Sequence, residues 1–234
     1  MKPIVILQNA DDDPPDTIAD FLSDVGQAFE VRRVWEGDPL PERPDEFGGL
    51  ITLGASMHAH EVEEHPFLAG EQALMREALR VQAPQLGICL GAHLLAAAAG
   101  GEVYERPAAA IGWFPVEIVA PDELFEGVSS PFMALLWHFY SCSLPPGAQA
   151  LAERPDGLQA FRCGPAAWGV QFHPEISAAT AALWASDTEE SLERQRPGLA
   201  AELQTQNERF MPDCPALCRR LLANFLRATG IATC

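Results

Sequence analysis

Cys89 stands in a setting that could do chemistry: the stretch from Pro84 to Gly101 reads PQLGICLGAHLLAAAAGG. An apolar run changes there from a strand-like to a helix-like period, with Gly87 and Gly91 two positions either side of the cysteine. A strand that turns abruptly into a helix lifts the side chain at the bend clear of the sheet, and flanking glycines let the two elements approach closely. The start of such a helix favours negative charge through its unpaired amides, which suits a sulfur nucleophile. On spacing alone, the same residue reads equally well as a small core cysteine between packing glycines.

A second stretch, WGVQFHPE from Trp168 to Glu175, supplies what a thiol nucleophile needs. Attack on a carbonyl requires a base within hydrogen-bond reach, and that base requires a third group to fix its tautomer. His173 and Glu175 lie two apart with Pro174 between them, so in extended chain both side chains leave the same face. Together they make Cys89 a candidate nucleophile, His173 a candidate base and Glu175 its orienting carboxylate.

The elements that must position these groups follow from the pattern. Apolar runs alternate with helical stretches, the mark of βα units on a parallel sheet. Strands are expected at Pro3–Leu7, Phe29–Trp35, Gly49–Leu53 and Leu86–Cys89. Helices are expected at Thr17–Val25, capped by Asp16, at Pro66–Val81, and at Ala92–Ala99, ending at Gly100 and Gly101. Beyond residue 101 short β segments take over: Val116–Val119, Met133–Trp137, Gln149–Ala152, Leu158–Arg162 and Trp168–Phe172. From about residue 178 the chain is helical, broken near Pro197 and Pro212. The expected fold is α/β: three layers, a mostly parallel central sheet with helices on both faces, and a small antiparallel β portion. One domain over residues 1–234 is expected, with no repeat and no linker.

With 234 residues and 48% hydrophobic content, the chain can bury a sizeable core. Its formal charge of −18 repels phosphate backbones and anionic lipid surfaces, so neither nucleic acid nor membrane is an expected partner. The N-terminal apolar run is too short for a signal peptide or a membrane span, and the scattered cysteines form no disulfide framework. A cytoplasmic protein is expected.

The motifs resemble those of the class I, triad-type glutamine amidotransferases, in particular stand-alone members similar to the glutaminase domain of GMP synthetase. The resemblance rests on GGLITLGASM (48–57), LGICLGAHLLAAAAGG (86–101), IGWFPVEI (111–118), WHFYSCSLPPGAQALA (137–152) and GVQFHPE (169–175). It implies a flavodoxin-like amidotransferase fold in which Cys89 attacks a side-chain amide and forms a γ-glutamyl thioester. His173 then acts as base and protonates the leaving ammonia, Glu175 orients it, and water hydrolyses the thioester. It implies oxyanion donors at Leu90 and at Ala55, with Gly54 beside it, where the family has Gly-Gly-Pro and this chain has Gly54-Ala55-Ser56. It implies substrate contacts at His93, which replaces the family's glutamine, and at Trp137, His138 and Tyr140, where tyrosine replaces a carboxylate able to receive an α-ammonium.

No cofactor is expected, and no GxxxxGK[ST] or GxGxxG motif occurs. The partners implied are a small-molecule amide, glutamine or a relative, and a separate ammonia-accepting synthase subunit. Two other readings stand beside this one: hydrolysis of a γ-glutamyl peptide or other amide, and a non-catalytic regulatory subunit that keeps the fold. A flavodoxin-like cofactor module is disfavoured by Asp11, Asp12 and Asp13, which would repel a phosphate after the first strand. The histidines and glutamates of MHAHEVEEHP (57–66) match no common metal spacing and are expected to form a solvated lid. Cys214 and Cys218 are expected to be packing residues.

Overall fold

The structure is a computed structural model and describes residues 2–231; Cys234 lies outside the described residues. In chain order the elements begin β1 (Ile4–Gln8), α1 (Asp16–Asp24), β2 (Phe29–Arg33), β3 (Gly49–Thr52), α2 (Phe67–Arg80), β4 (Gln85–Ile88) and α3 (Leu90–Ala98). Then come β5 (Val103–Ile118), β6 (Phe132–Cys142), β7 (Gln149–Arg154), β8 (Gly157–Cys163) and β9 (Ala167–Val170). The helices α4 (Ala178–Asp187), α5 (Glu189–Gln195), α6 (Leu199–Phe210) and α7 (Cys214–Ala228) follow.

Among the described residues nine strands join one sheet in the order β2-β1-β3-β4-β9-β8-β7-β5-β6. Pairing is parallel from β2 through β9 and antiparallel from β9 through β6. Strands β1, β3, β4 and β9 are buried along their whole length, as expected of parallel strands covered on both faces. One face carries α1 and α7, which bring Ile18, Phe21, Leu222 and Phe225 onto Ile6, Ile51 and Trp168. The other carries α2 and α3, packed through Leu74, Met75, Leu94 and Leu95.

Several expected elements differ in extent; β6, expected over Met133–Trp137, runs on to Cys142. The segment expected as Val116–Val119 is the end of β5, a strand of 16 residues whose earlier part was not legible because Pro107, three alanines and Gly112 are weak strand formers. Its register shifts between Glu105 and Ala110, which bends the hairpin with β6. Likewise Val34 and Trp35 leave the strand for a short 3-10 turn.

Asp16 does not cap α1. Pro15 occupies the cap position, and the Asp16 carboxylate instead accepts from the Ser177 N–H at 2.9 Å and the Thr180 hydroxyl at 2.5 Å. With Thr17 N–H donating to the Glu175 carbonyl at 3.1 Å, the start of α1 grips the segment that carries the candidate carboxylate. Asp16 holds φ +27° to do so, a conformation that costs a non-glycine residue energy and that the surrounding contacts must sustain.

Glu71 on α2 is fully buried with Asn9 as its polar neighbour, and Asn9 also donates to the Leu53 carbonyl at 3.1 Å, tying the loops after β1 and β3 together. Burial pushes the Glu71 carboxyl up to about 8. A folded-state value above the unfolded one contributes stability that is full below the unfolded value and is lost as pH rises through about 8. The melting-temperature difference between Glu71→Gln and the native protein is therefore expected to move in favour of the glutamine as pH rises from about 5 to about 8. A difference flat across that range would refute the assignment.

Candidate active site

The candidate groups gather at the carboxyl ends of the central strands, where open α/β sheets bind ligands. Cys89 follows β4 directly and adopts φ +50°, ψ −106°. Its N–H donates to the Val170 carbonyl of the neighbouring strand at 2.8 Å, and its carbonyl accepts from His93 N–H at 3.1 Å. The bend survives because the chain is pinned on both sides. The two glycines are needed for space: a Cβ on Gly87 would collide with the Gly91 carbonyl, and one on Gly91 with the Thr52 carbonyl. Gly91→Ala is expected to push α3 off β3 and cost about 1–3 kcal/mol, read as a lower denaturation midpoint. A midpoint equal to that of the native protein would show that strand and helix have slack here.

His173 and Glu175 come from the segment after β9. His173 Nδ1 lies 2.7 Å from Glu175 Oε1 and both side chains are buried, so Nδ1–H donates to the carboxylate. The Cys89 side chain is the other group beside the ring that bears on its charge. Burial opposes charge on His173, but the charges of Glu175 and Cys89 beside it prevail and hold the imidazole well above the ordinary histidine range. The His173 N–H donates to the Leu135 carbonyl at 2.9 Å, fixing this arm to β6. Trp184 on α4 meets the ring edge-on with centroids 5.0 Å apart, and its indole N–H donates to the Asp12 carbonyl at 2.6 Å.

A cavity of about 230 Å³ opens over the thiol. Cys89, Leu90, Ala55, His93, Trp137, His138, Tyr140 and His173 all line it, whereas Glu175 and Gly54 stand behind the lining. Leu90 begins α3, so its N–H has no acceptor within the helix. Gly54 is required for room: a Cβ there would collide with the Asp13 carboxylate and come within 2.9 Å of His173 Cε1. His138 is held by its own strand, Nδ1 lying 2.6 Å from the Tyr140 carbonyl, and burial pushes it down to about 3. Tyr140 lies tilted against His58 with ring centroids 4.0 Å apart, so the loop after β3 reaches over to the cavity.

Besides Trp184, two nearby side chains were missed by sequence reasoning. Gln171 bridges His93 to the thiol: its Oε1 lies 2.7 Å from His93 Nε2 and its Nε2 lies 3.7 Å from Cys89 Sγ. Burial pushes His93 down to about 4, so the neutral ring donates to the Gln171 oxygen and turns the amide N–H toward sulfur. The alternation Gln171, His173, Glu175 was the available signal. The second is Asp13, buried at 3% exposure, with Oδ1 lacking any hydrogen-bond partner. Burial, reinforced by Glu175 and opposed by His173, pushes its carboxyl up to about 8. Its oxygen, a His173 nitrogen and a Glu175 oxygen lie within 4.8 Å of one another, the one grouping among the described residues compact enough for a metal ion. The histidines at 58–65 form no such group among the described residues. Cys214 and Cys218 are buried, and Cys214 lies against the His173 and Pro174 carbonyls.

The profile of the glutamine amidotransferase class-I family matches residues 29–183, and the chain belongs to that family. It is 30% identical over 165 residues to the glutamine amidotransferase-like protein YfeJ of Salmonella typhimurium, covering 67% of this chain and 69% of that one. It is 33% identical over 171 residues to the glutamine-hydrolyzing GMP synthase of Porphyromonas gingivalis, covering 68% of this chain but only 32% of the synthase. Among solved structures, a glutamine amidotransferase of Thermotoga maritima superposes with a TM-score of 0.87 at 28% identity, covering 97% of this chain and 98% of that one. One from Methylobacillus flagellatus gives 0.86 at 26% identity, covering 97% and 95%. Among the described residues no helix is long and apolar enough to cross a membrane.

Proposed function

We propose that this protein is a carboxamide hydrolase in which Cys89, His173 and Glu175 act as a triad. The observation that carries the reading is the His173 ring, bonded through Nδ1 to a buried carboxylate at 2.7 Å and lying near enough to the Cys89 side chain for the two to act on each other's charge. The Cys89 sulfur attacks the amide carbon, and the Leu90 and Ala55 N–H groups receive the charge that develops on oxygen. As the tetrahedral adduct collapses, the C–N bond breaks, the His173 imidazolium gives its proton to the leaving nitrogen, and ammonia departs from an acyl thioester. Water, deprotonated by His173, then attacks the thioester; sulfur leaves as a thiolate beside the re-formed imidazolium, and a carboxylic acid is released. With glutamine as donor, the acyl group would be γ-glutamyl.

In this reading Glu175 keeps Nδ1 protonated and so aims Nε2 at sulfur, while the Gln171 amide supports charge on sulfur between turnovers. His93, Trp137, His138 and Tyr140 shape the substrate end of the cavity. A separate synthase chain is the acceptor provided for the ammonia. In line with this, a Methanococcus maripaludis relative, 33% identical over 103 residues, is by name one subunit of a glutamine-hydrolyzing GMP synthase. This chain spans 54% of that relative. The test is ammonia release from a panel of primary amides and γ-glutamyl compounds, with Cys89→Ala as control. Release that needs Cys89 supports the reading; equal release by both proteins, or none from any amide, removes it.

A further inference from the structure

The candidate triad leaves one neighbouring acid without a role. Asp13, on the loop between β1 and α1, is buried, and one of its oxygens lies within 4.8 Å of both a His173 nitrogen and a Glu175 oxygen. Its Oδ2 and His173 Cε1 crowd the same space beside Gly54, where a Cβ would meet both. The surrounding chain is tied to the His-Pro-Glu segment and to α4: Thr17 N–H donates to the Glu175 carbonyl at 3.1 Å, and the Trp184 indole to the Asp12 carbonyl at 2.6 Å. Asp13 is therefore set against the proposed proton carrier and its orienting carboxylate, behind the space a substrate would fill.

Counting protons decides its state. The Nδ1–H of His173 is spent on Glu175 Oε1 at 2.7 Å. That leaves Glu175 Oε2 and Asp13 Oδ1, both shielded from solvent and both without a hydrogen-bond partner. An ionised carboxyl only accepts, so two ionised groups here could not satisfy each other; they would repel and leave two buried oxygens bare. One proton, held by one carboxyl and offered to the other, removes both defects. Asp13 is the one to hold it, because Glu175 already receives the imidazole N–H.

Resting on the triad reading, we infer that Asp13 is a positioning residue: a neutral carboxylic acid that donates its O–H to Glu175 and so holds that carboxylate on His173. Burial pushes the Asp13 carboxyl up to about 8, opposed by His173 and reinforced by Glu175, Asp12 and Asp16. Around this group, Cys89 faces the His173 ring, and from α7 Cys214 and Cys218 face Glu175 as thiols that burial keeps protonated at neutral pH. Trp184 of α4 brings no charge. Once ionised, Asp13 would place a negative charge beside Gly54, next to the proposed oxyanion donor Ala55, and would hold more tightly the imidazolium proton that must reach the leaving nitrogen. Both effects slow the reaction.

The test compares the native chain with Asp13→Asn, whose amide N–H donates at every pH, and with Asp13→Leu, which has no donor. For the native protein, kcat/KM for ammonia release from glutamine is expected to fall as pH rises through about 8. Asp13→Asn should carry that alkaline limb upward by at least about one pH unit, and at pH 7 should exceed Asp13→Leu by at least about tenfold. A readout free of substrate separates this inference from the reading beneath it. A folded-state value above the unfolded one gives stability that is full below the unfolded value and is lost as pH rises through about 8. The melting-temperature difference between Asp13→Asn and the native protein should therefore move in favour of asparagine from about pH 5 to about pH 8. That movement without turnover of any amide would remove the hydrolase and keep the neutral acid on Glu175. Turnover that needs Cys89, with the alkaline limb unmoved in Asp13→Asn or with asparagine and leucine equally active, would overturn the role of Asp13 and leave the hydrolase standing. A melting difference flat across that pH range would overturn it as well.

Discussion

Cys89→Ala is expected to lower ammonia release by at least about 10⁴-fold while leaving the fold and its thermal transition in place. The size follows from what the substitution removes. Without sulfur there is no covalent intermediate, and the residual rate comes only from oxyanion donors and binding, which act on attack by water in a cavity shaped for a different nucleophile. The variant should fold because alanine is smaller than cysteine, and because the contacts that pin the bend, Cys89 N–H to Val170 and His93 N–H to the Cys89 carbonyl, belong to the backbone. Ammonia release measured beside a melting curve checks both halves. A loss of activity in proportion to a loss of folded protein would make Cys89 a structural residue.

The second large effect is at His173. Its ring both deprotonates and reprotonates in the proposed course, so His173→Ala should cost about 10²–10⁴ in kcat. It also removes the charge that faces Cys89 and leaves the buried Glu175 carboxylate without its 2.7 Å partner. An unpaired buried carboxylate is unstable, so this variant should also melt lower than the native protein, unlike Cys89→Ala. Activity assayed with excess folded protein separates the two losses. A variant that keeps most of its kcat would exclude His173 as the proton carrier.

The candidate triad was legible because its signals are short in sequence: Gly-x-Cys-x-Gly at one strand end, and His-Pro-Glu at another. Each reflects a local rule, close approach at the elbow and same-face alternation across Pro174. The parallel half of the sheet was legible for a similar reason, since buried strands such as β1, with its IVIL run, and β3, GLIT, read as near-continuous apolar stretches. What was hidden depends on partners far away in the chain. Asp16 looks like a helix cap from its neighbours, yet its carboxylate is spent on Ser177 and Thr180, more than 160 positions later. Asp13 looks like one more solvated acid of an acidic loop until β1 and β9 bring it beside His173 and Glu175.

Trp184 was hidden in the same way. In the helical tail it is one apolar residue among several, and only the fold of α4 across β6 sets its edge against His173 and its N–H on Asp12. The tail covers the antiparallel end of the sheet through Leu192, Leu199 and Leu203 while contributing Asp187 to the cavity rim. The length of β5 was concealed because alanine, proline and glycine carry little strand propensity, and its pairing with β6 outweighs that weakness.

The central claim is that Cys89 and His173 form one chemical unit, and alkylation tests it without assuming a substrate. Iodoacetamide, itself a small amide, is applied at neutral pH to the protein with Cys234 replaced by serine, and the modified peptide is identified by mass spectrometry. Cys142, Cys163, Cys214 and Cys218 are buried, with burial pushing the first three to about 12, about 11 and about 12 and Cys218 well up, so they should stay inert. The account predicts rapid modification of Cys89 alone, slowed at least about tenfold by His173→Ala. Equal labelling rates at Cys89 with and without the imidazole, or faster labelling at any of the other four, would contradict it.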